Sequence, residues 1–347
     1  MRVSIGIFAH NEEQQIGRAL SSIAEQDLVA EAAEAGMSIE IITLANGCTD
    51  STAAAANAAS EQFRMQHPNI CIRTEVIPER GKSNTWNIYV HRISDLSADF
   101  LIFMDADITL IGSRTLALLV QTLLRNQHAH IAVDLIVKDL AFKKSRSLFE
   151  RASLSATHLN QAGPPKLAGS LYCARANVVR SIWMPEGLLV EDGFLKAMIT
   201  TEQFTKREDV SRLALAQGAA HAFEAITNLR CLLNHEVRLL IGTWMNVVLF
   251  EHLQKKVSET KQPAGVLIHA WNQSSPDWMQ CLLNNRASNR TFQRFSLSAV
   301  LIPFRQALQS NLGNRVKRLP IAFLRGVFTC CALLLARNLI RQKIYKW

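Results

Sequence analysis

The sequence predicts an α/β fold: a Rossmann-like, mostly parallel central sheet flanked by helices, with a helical C-terminal extension. Two observations predict it. From Val3 to Val137, short apolar runs alternate with helix-patterned segments, and each gap is long enough for a crossover helix. Parallel strands need such crossovers, which are right-handed. After about Ile226 the pattern turns helical and stays so to the end.

Taken in order, Val3–Phe8 is a β-type run and Glu12 to Gln26 a helix-like stretch. Ser38–Leu44 is the second strand, and an Ala-rich helix follows it, capped by Asp50 or Ser51. Ile70–Ile77 is the third strand, Lys82–Ile93 a helix, and Phe100–Met104 a buried fourth strand. Ser113–Arg125 is helical and Ile131–Val137 a strand. Gly163-Pro164-Pro165 reads as a loop inside the domain, and no internal repeat or low-complexity linker is visible. Ligands of such sheets sit at the carboxyl ends of the strands, so site residues should follow them.

Composition excludes several classes. At 48% hydrophobic and 19% charged, the 347 residues describe neither a disordered nor a collagenous chain. Seven Cys at no paired spacing argue against a disulfide framework or a zinc ribbon, and predict small buried hydrophobes in a reducing cytosol. The N-terminal apolar run is too short for a secretory signal. Charge is uneven: residues 1–277 hold all 29 acids and 26 of the 38 basic residues, while the last 70 residues hold 12 basic residues and no acid. A basic tail on an acidic body suits a polyanion. This tail is also apolar, with an uncharged run of eleven, Gly326 to Ala336, between Arg325 and Arg337. That favours an anionic membrane surface over nucleic acid. Roughly 20 apolar residues span a bilayer, so an interfacial helix with snorkelling Arg fits better than a single span. Arg315, Lys317, Arg318, Arg341, Lys343 and Lys346 would meet lipid headgroups. The alternative is a helix packed on the body with a solvated basic face.

Three tempting motifs fail. Gly81-Lys82-Ser83 resembles the end of a phosphate-binding loop, but its first glycine would fall at Val76. His235-Glu236 starts a zincin-like helix whose second His is Leu239, and no GxGxxG follows the first strand. The strongest chemical signal is Asp105-Ala106-Asp107, directly after the apolar run Phe100–Met104. On extended chain, carboxylates at i and i+2 point to one side and can hold a hard divalent cation, Mg²⁺ or Mn²⁺. Glu191-Asp192, between an apolar run and a helix, is either a helix N-terminal acidic pair or a general base.

The segments VSIGIFAHNEEQQIGRAL, LANGCTDST, GKSNTWN, FMDADI, AGSLYCARANVV and VEDGFL occur in this order. The ordered set resembles the family 2 inverting glycosyltransferases of GT-A fold, over about residues 1–245. The resemblance implies a GT-A domain at 1–245 and a helical, basic region at 246–347. It implies that the turns after the first two strands surround a nucleoside. The first reads Phe8-Ala9-His10-Asn11-Glu12 where the family usually has P-x-Y-N-E. The second reads Ala45-Asn46-Gly47-Cys48-Thr49-Asp50, without the two leading acids, so Asn46 stands in. Ala9, Asn11, Glu12, Asn46, Lys82 and Asp105 are the donor-side residues so implied. His235-x-x-Arg238-Leu239 stands where lipid-directed and processive members carry Q-x-x-R-W, which adds His235 and Arg238 on the diphosphate side and argues against long-polymer synthesis.

The implied reaction is metal-dependent, inverting transfer from a nucleotide sugar to a hydroxyl. Asp105 and Asp107 hold the cation, Asp192 is the base, Glu191 orients acceptor or base, and Gly169 and Ser170 line the acceptor side. With the tail, the expectation is a cytoplasmic enzyme on the inner face of the cell membrane. Its acceptor there is lipid-linked or membrane-proximal, as in cell-surface polysaccharide or glycolipid synthesis. The alternatives are a soluble glycosyltransferase acting on a small molecule or protein, and a non-catalytic sugar-nucleotide-binding relative.

Overall fold

The computed structural model describes residues 1–32, 34–139, 165–224, 226, 228–286, 290–308 and 312–342; at 312–318 and a few positions of 290–306 only the backbone is described. Gly163, Pro164, Lys343 and Lys346 lie outside the described residues. The first half runs β1 (Arg2–Ala9), α1 (Ile16–Ala24), α2 (Asp27–Ala30), β2 (Ser38–Asn46), α3 (Thr52–Gln66), β3 (Cys71–Ile77), α4 (Lys82–Ile88), a π-helical turn (Tyr89–Ile93), β4 (Phe100–Asp105), β5 (Ile108–Ile111), α5 (Thr115–Arg125) and β6 (Ile131–Lys138). It continues through β7 (Leu171–Arg175), α6 (Ala176–Val179), α7 (Glu191–Thr200) and β8 (Leu213–Phe223). Five helices follow: α8 (Leu229–Thr260), α9 (Ala264–Ser274), α10 (Trp278–Arg286), α11 (Arg290–Leu308) and α12 (Leu312–Arg341).

The strands form one eight-stranded sheet, ordered β3-β2-β1-β4-β7-β6-β8-β5. The half that carries the first four strands is parallel throughout, as the crossover helices require. Beyond β4 the sheet is mixed: β7 is antiparallel to both β4 and β6, β8 is parallel to β6, and β5 is antiparallel to β8. The central strands are apolar on both faces because helices cover both. Along β4, Leu101 and Phe103 enter the core shared with Trp86, Phe194 and α8, while Ile102 and Met104 enter the core beneath α1, α3 and α5. Gly6 of β1 is needed for this packing, since a Cβ there would meet the Tyr89 ring at 2.7 Å.

The end of the second-strand turn caps as expected: the Asp50 carboxylate accepts from the Thr52 N–H at 3.0 Å, whereas the Ser51 side chain makes no cap. Two expectations are corrected. All seven cysteines are free, but only Cys173 is buried; Cys71, Cys231, Cys281, Cys330 and Cys331 are exposed. The four helical ones lie on outer faces, where a thiol is tolerated without packing. Asp105-Ala106-Asp107 is not an extended segment either. β4 ends at Asp105, and Ala106 and Asp107 form the turn into β5. The position 245, expected to end the first domain, falls inside the continuous helix α8.

α12 packs against α11 and α8 through a small-residue seam. Ala322, Thr329, Ala332, Ala336 and Ile340 are buried, and a Cβ on Gly326 would meet Phe304 at 2.9 Å. The opposite face leaves Ile321 and Phe323 61% exposed and Leu324 and Leu334 69% exposed. The 23-residue stretch Leu319–Arg341, of mean hydropathy 2.0, is long and apolar enough to cross a membrane by length and composition.

Candidate active site

The turns after the parallel strands are tied to one another before any ligand is considered. Asn11 takes a left-handed conformation (φ 58°), and its amide oxygen accepts from the Thr49 N–H at 2.8 Å. The Glu12 N–H donates to Thr52 Oγ1 at 2.8 Å, and His10 Nδ1 lies 2.7 Å from the Asn46 carbonyl. Ala9 ends β1 buried beneath this turn. Asn46 is 6% exposed and both ends of its amide are engaged. Its NH₂ donates to the Glu79 carbonyl, and its oxygen accepts from the Gly81 N–H at 2.9 Å. Asn46 therefore joins the second turn to the third, and places Lys82 at the start of α4.

Lys82 is the centre of the cleft. Its ammonium lies 2.6 Å from Asp105 Oδ1 and 3.0 Å from Glu191 Oε1, and it donates to the Gly169 carbonyl at 3.1 Å. Burial would lower its pKa, but the two carboxylates outweigh burial and hold it charged. Gly169 makes this convergence possible: a Cβ there would meet Glu191 Oε1 at 2.7 Å, with Lys82 Nζ at 3.4 Å and Asp192 Cβ at 3.6 Å. Ser170 follows, and its carbonyl accepts the Asp105 N–H at 2.8 Å. The structure thus brings Lys82, Asp105, Gly169, Ser170, Glu191 and Asp192 together from four separate segments.

The acids fall into two environments. On one side, Glu12 is pushed up to about 7 by burial and by the charges of Asp107, Asp105, Asp50 and Glu224. Asp105 is raised to about 6, because burial together with Asp107 and Glu191 outweighs the pull of Lys82. Lys82 offsets only part of this like-charge group, and Asp107 is exposed at its rim. Oxygen donors under mutual repulsion fit a hard divalent cation. Among the described residues no three His, Cys, Asp or Glu side chains close on one point, so ligand oxygens or water would complete such a shell. On the other side, Glu191 and Asp192 open α7. Burial opposes the ionised Glu191, but Lys82 and then Arg238 keep its pKa below the usual range. Asp192 moves the other way, raised by burial and by Glu191, although its carboxylate accepts the Gly193 N–H at 2.7 Å.

Arg238 on α8 is close enough to act on both acids electrostatically. His235 lies one turn earlier; burial and then Arg238 lower its pKa, which favours the neutral ring. Two residues of the same helix face escaped the sequence reading. A Cβ on Gly242 would meet Val190 Cγ2 at 2.3 Å, so only glycine lets α8 lie against the acidic turn. Asn246 Nδ2 then donates to the Val190 carbonyl at 2.9 Å. Their spacing after Arg238, four and eight residues, is a helical-face signal available in the sequence.

The profile of one family, described as glycosyl transferase family 2, matches residues 4–180. No curated protein matches the chain. Among solved structures, a mannosyltransferase from Pyrobaculum calidifontis in complex with GDP-Man and Mn²⁺ superposes with a TM-score of 0.52. It is 16% identical, over 97% of this chain and 86% of that one. Glucosyl-3-phosphoglycerate synthase of Mycobacterium tuberculosis gives a TM-score of 0.45 at 19% identity, over 71% of this chain and 79% of its own. The first likeness shows the GT-A fold.

Proposed function

The chain belongs to glycosyl transferase family 2 and is a glycosyltransferase, and we propose that it moves a sugar from a nucleotide-sugar donor to a hydroxyl acceptor, with inversion, at a membrane surface. One observation carries the reading. Lys82 bridges the acid that ends β4 and the acid that opens α7, so the donor-side and acceptor-side carboxylates share one cleft. Asp105 and Asp107 would hold Mg²⁺ or Mn²⁺, with Glu12 beside them. That ion, when bound, neutralises charge developing on the departing diphosphate. Asn11 and Glu12 shape the nucleoside pocket above Ala9. Asn46 positions the Lys82 turn rather than touching the base.

Asp192 is the general base. Its raised pKa brings it nearer neutrality, where a base is most effective. It takes the proton of the acceptor hydroxyl as that oxygen bonds to the anomeric carbon, and the bond from that carbon to the diphosphate breaks. Glu191, kept anionic by Lys82, orients the acceptor. Two neighbouring acids whose surroundings push their pKa values apart are the expected signature of divided roles. Arg238 faces the diphosphate, and His235 supports that end as a neutral ring. Gly169 and Ser170 form the acceptor wall, where the missing side chain lets Glu191 and Asp192 close against it.

The membrane assignment rests on the exposed apolar face of α12, joined on α11 by Leu297 (64% exposed) and Ile302 (47%). Arg325, Arg337 and Arg341 are exposed on the same helix. The second half of α12 packs into the body through Ala332, Leu333, Ala336 and Ile340. A helix so docked lies on a membrane more readily than it spans one. Its setting is the inner membrane face, with a lipid-linked acceptor as in polysaccharide or glycolipid synthesis. The test is release of nucleoside diphosphate from a panel of GDP- and UDP-sugars with Mn²⁺, with and without phospholipid vesicles and lipid extracts. Release with at least one donor that D107N abolishes is expected. No release from any donor, with or without lipid, overturns the enzymatic reading. Full activity after chelation overturns the metal.

A further inference from the structure

Behind the acceptor wall, Ser170 is joined to two buried polar side chains, His221 and Asp134, that the reaction scheme does not use. Asp134 Oδ2 lies 2.7 Å from His221 Nδ1, and His221 Nε2 lies 3.0 Å from Ser170 Oγ. His221 is 0% exposed and Asp134 7%. With Asp134 ionised it can only accept, which puts the proton of a neutral His221 on Nδ1 and leaves Nε2 to accept the Ser170 hydroxyl proton. Three local features build the chain. The β6–β8 register slips on either side of Asp134, from Val133 opposite Leu215 to Leu135 opposite Ala220, so the extra residues lie in β8 just before His221, where a bulge can re-aim a side chain. β8 pairs His221 with Leu110 of β5, the strand that leaves the Asp105–Asp107 turn. Ser170 begins the run into β7.

The arrangement has the spacing of a hydrolytic triad, yet the His221 ring has no exposed surface for a substrate to approach. Stability does not explain it, since β8 is otherwise apolar or small here (Ala219, Ala220, Ala222) and an apolar residue would avoid burying polar groups. What the chain touches is more telling. The Ser170 carbonyl holds the Asp105 N–H at 2.8 Å, and the Gly169 carbonyl holds the Lys82 ammonium at 3.1 Å. The same two residues therefore carry the backbone on which the donor-side acid and its cation hang.

We infer that Asp134, His221 and Ser170 form a positioning relay that fixes the Gly169–Ser170 segment, and through it the geometry of Asp105 for cation binding. The inference rests on the metal reading above, and the test separates the two. Outer partners of a metal site change affinity or activity by about 10- to 100-fold when removed. S170A should therefore weaken Mn²⁺ binding, read by the electron spin resonance of free Mn²⁺, by about tenfold. In H221F, which leaves the acceptor wall itself unchanged, turnover should recover at correspondingly higher Mn²⁺. S170T, which keeps the hydroxyl, should restore affinity, and H221F should match S170A. Melting temperatures near wild type would mark both losses as local. Wild-type Mn²⁺ affinity and turnover in a folded S170A overturns the relay. If D107N keeps wild-type Mn²⁺ binding, the metal reading fails, and unchanged kcat in S170A then sinks the relay separately. Labelling of Ser170 by a fluorophosphonate would replace positioning with a nucleophilic role.

Discussion

Gly242→Ala probes the dependence of the base on a helix face that never touches substrate. The added Cβ would sit 2.3 Å from Val190 Cγ2, 3.0 Å from Val190 Cβ and 3.1 Å from Leu189 Cβ. Carbon atoms rest about 3.5–4.0 Å apart, so Val190 must retreat by roughly 1 Å. Rotating the Val190 side chain does not help, because its Cβ is also too close. α8 is anchored by Trp244, Met245 and Leu249, all buried, so the acidic turn moves rather than the helix. Asp192 stands two residues beyond Val190 and shifts with it. A displacement of about 1 Å in a reacting group can cost about 100-fold in rate, equivalent to about 2.7 kcal/mol of barrier. Overpacking should also remove about 1–3 kcal/mol of stability. In the nucleoside diphosphate release assay, kcat should fall about 100-fold. Donor affinity should hold, because the nucleoside turns follow β1 and β2, away from α8. Val190→Ala removes the clashing Cγ2 and should recover part of the loss in the double variant. A folded G242A with kcat within about threefold of wild type would refute the claim that this contact sets the base.

Other perturbations address the remaining parts. Asp192→Asn should lower turnover by about 10² to 10⁴ while donor binding survives, checked by rapid-quench turnover beside nucleotide titration. Glu12 and Asp105 carry raised pKa values of about 7 and about 6. Both keep a proton in acid, and cations bind carboxylates, so Mn²⁺ affinity should be full about one unit above pH 7 and fall as pH drops through 7 toward 6. Calorimetry in buffers of different ionisation enthalpy should show proton release on binding near neutrality, smaller in E12Q; a pH-independent affinity contradicts the assignment. Phe323→Glu with Leu324→Glu removes two exposed apolar groups, each contributing about 1.5–3 kcal/mol when buried. Co-sedimentation with anionic vesicles should fall by at least about 100-fold, and unchanged sedimentation removes the membrane role of α12.

The sequence revealed the parallel half of the sheet because its strands are apolar on both faces and helices separate them. β8 was illegible for the opposite reason: Leu213–Phe223 is rich in Ala, has no β-branched residue, and resembles helix as much as strand. With β8 unseen, His221 had no reason to be singled out, and neither did Asp134, which faces it across the register slip between β6 and β8. Asp105-Ala106-Asp107 was legible as a pair of oxygens after a buried run, though a turn, not a strand, presents Asp107. The bridge by Lys82 was not legible, since it joins positions 23 and 109 residues apart along the chain. In the tail, charge and hydropathy marked an apolar, basic segment. They did not separate the small-residue seam that packs from the Ile, Phe and Leu face that does not, because both are apolar.

α8 connects the two ends of the proposed function. One face carries Arg238, Gly242 and Asn246 against the acidic turn, while Trp244 contacts Phe292 of α11 edge-on at 5.9 Å. α12 packs on the same helix. The base and the exposed apolar face are therefore referenced to one rigid element of 32 residues, roughly 48 Å long at 1.5 Å per residue. An acceptor held by a lipid can vary its height above a membrane only slightly, and a base that removes its proton must sit at a matching height. A flexible linker between catalytic body and membrane helix would leave that height undefined. In the proposed function, mounting both on α8 would fix it.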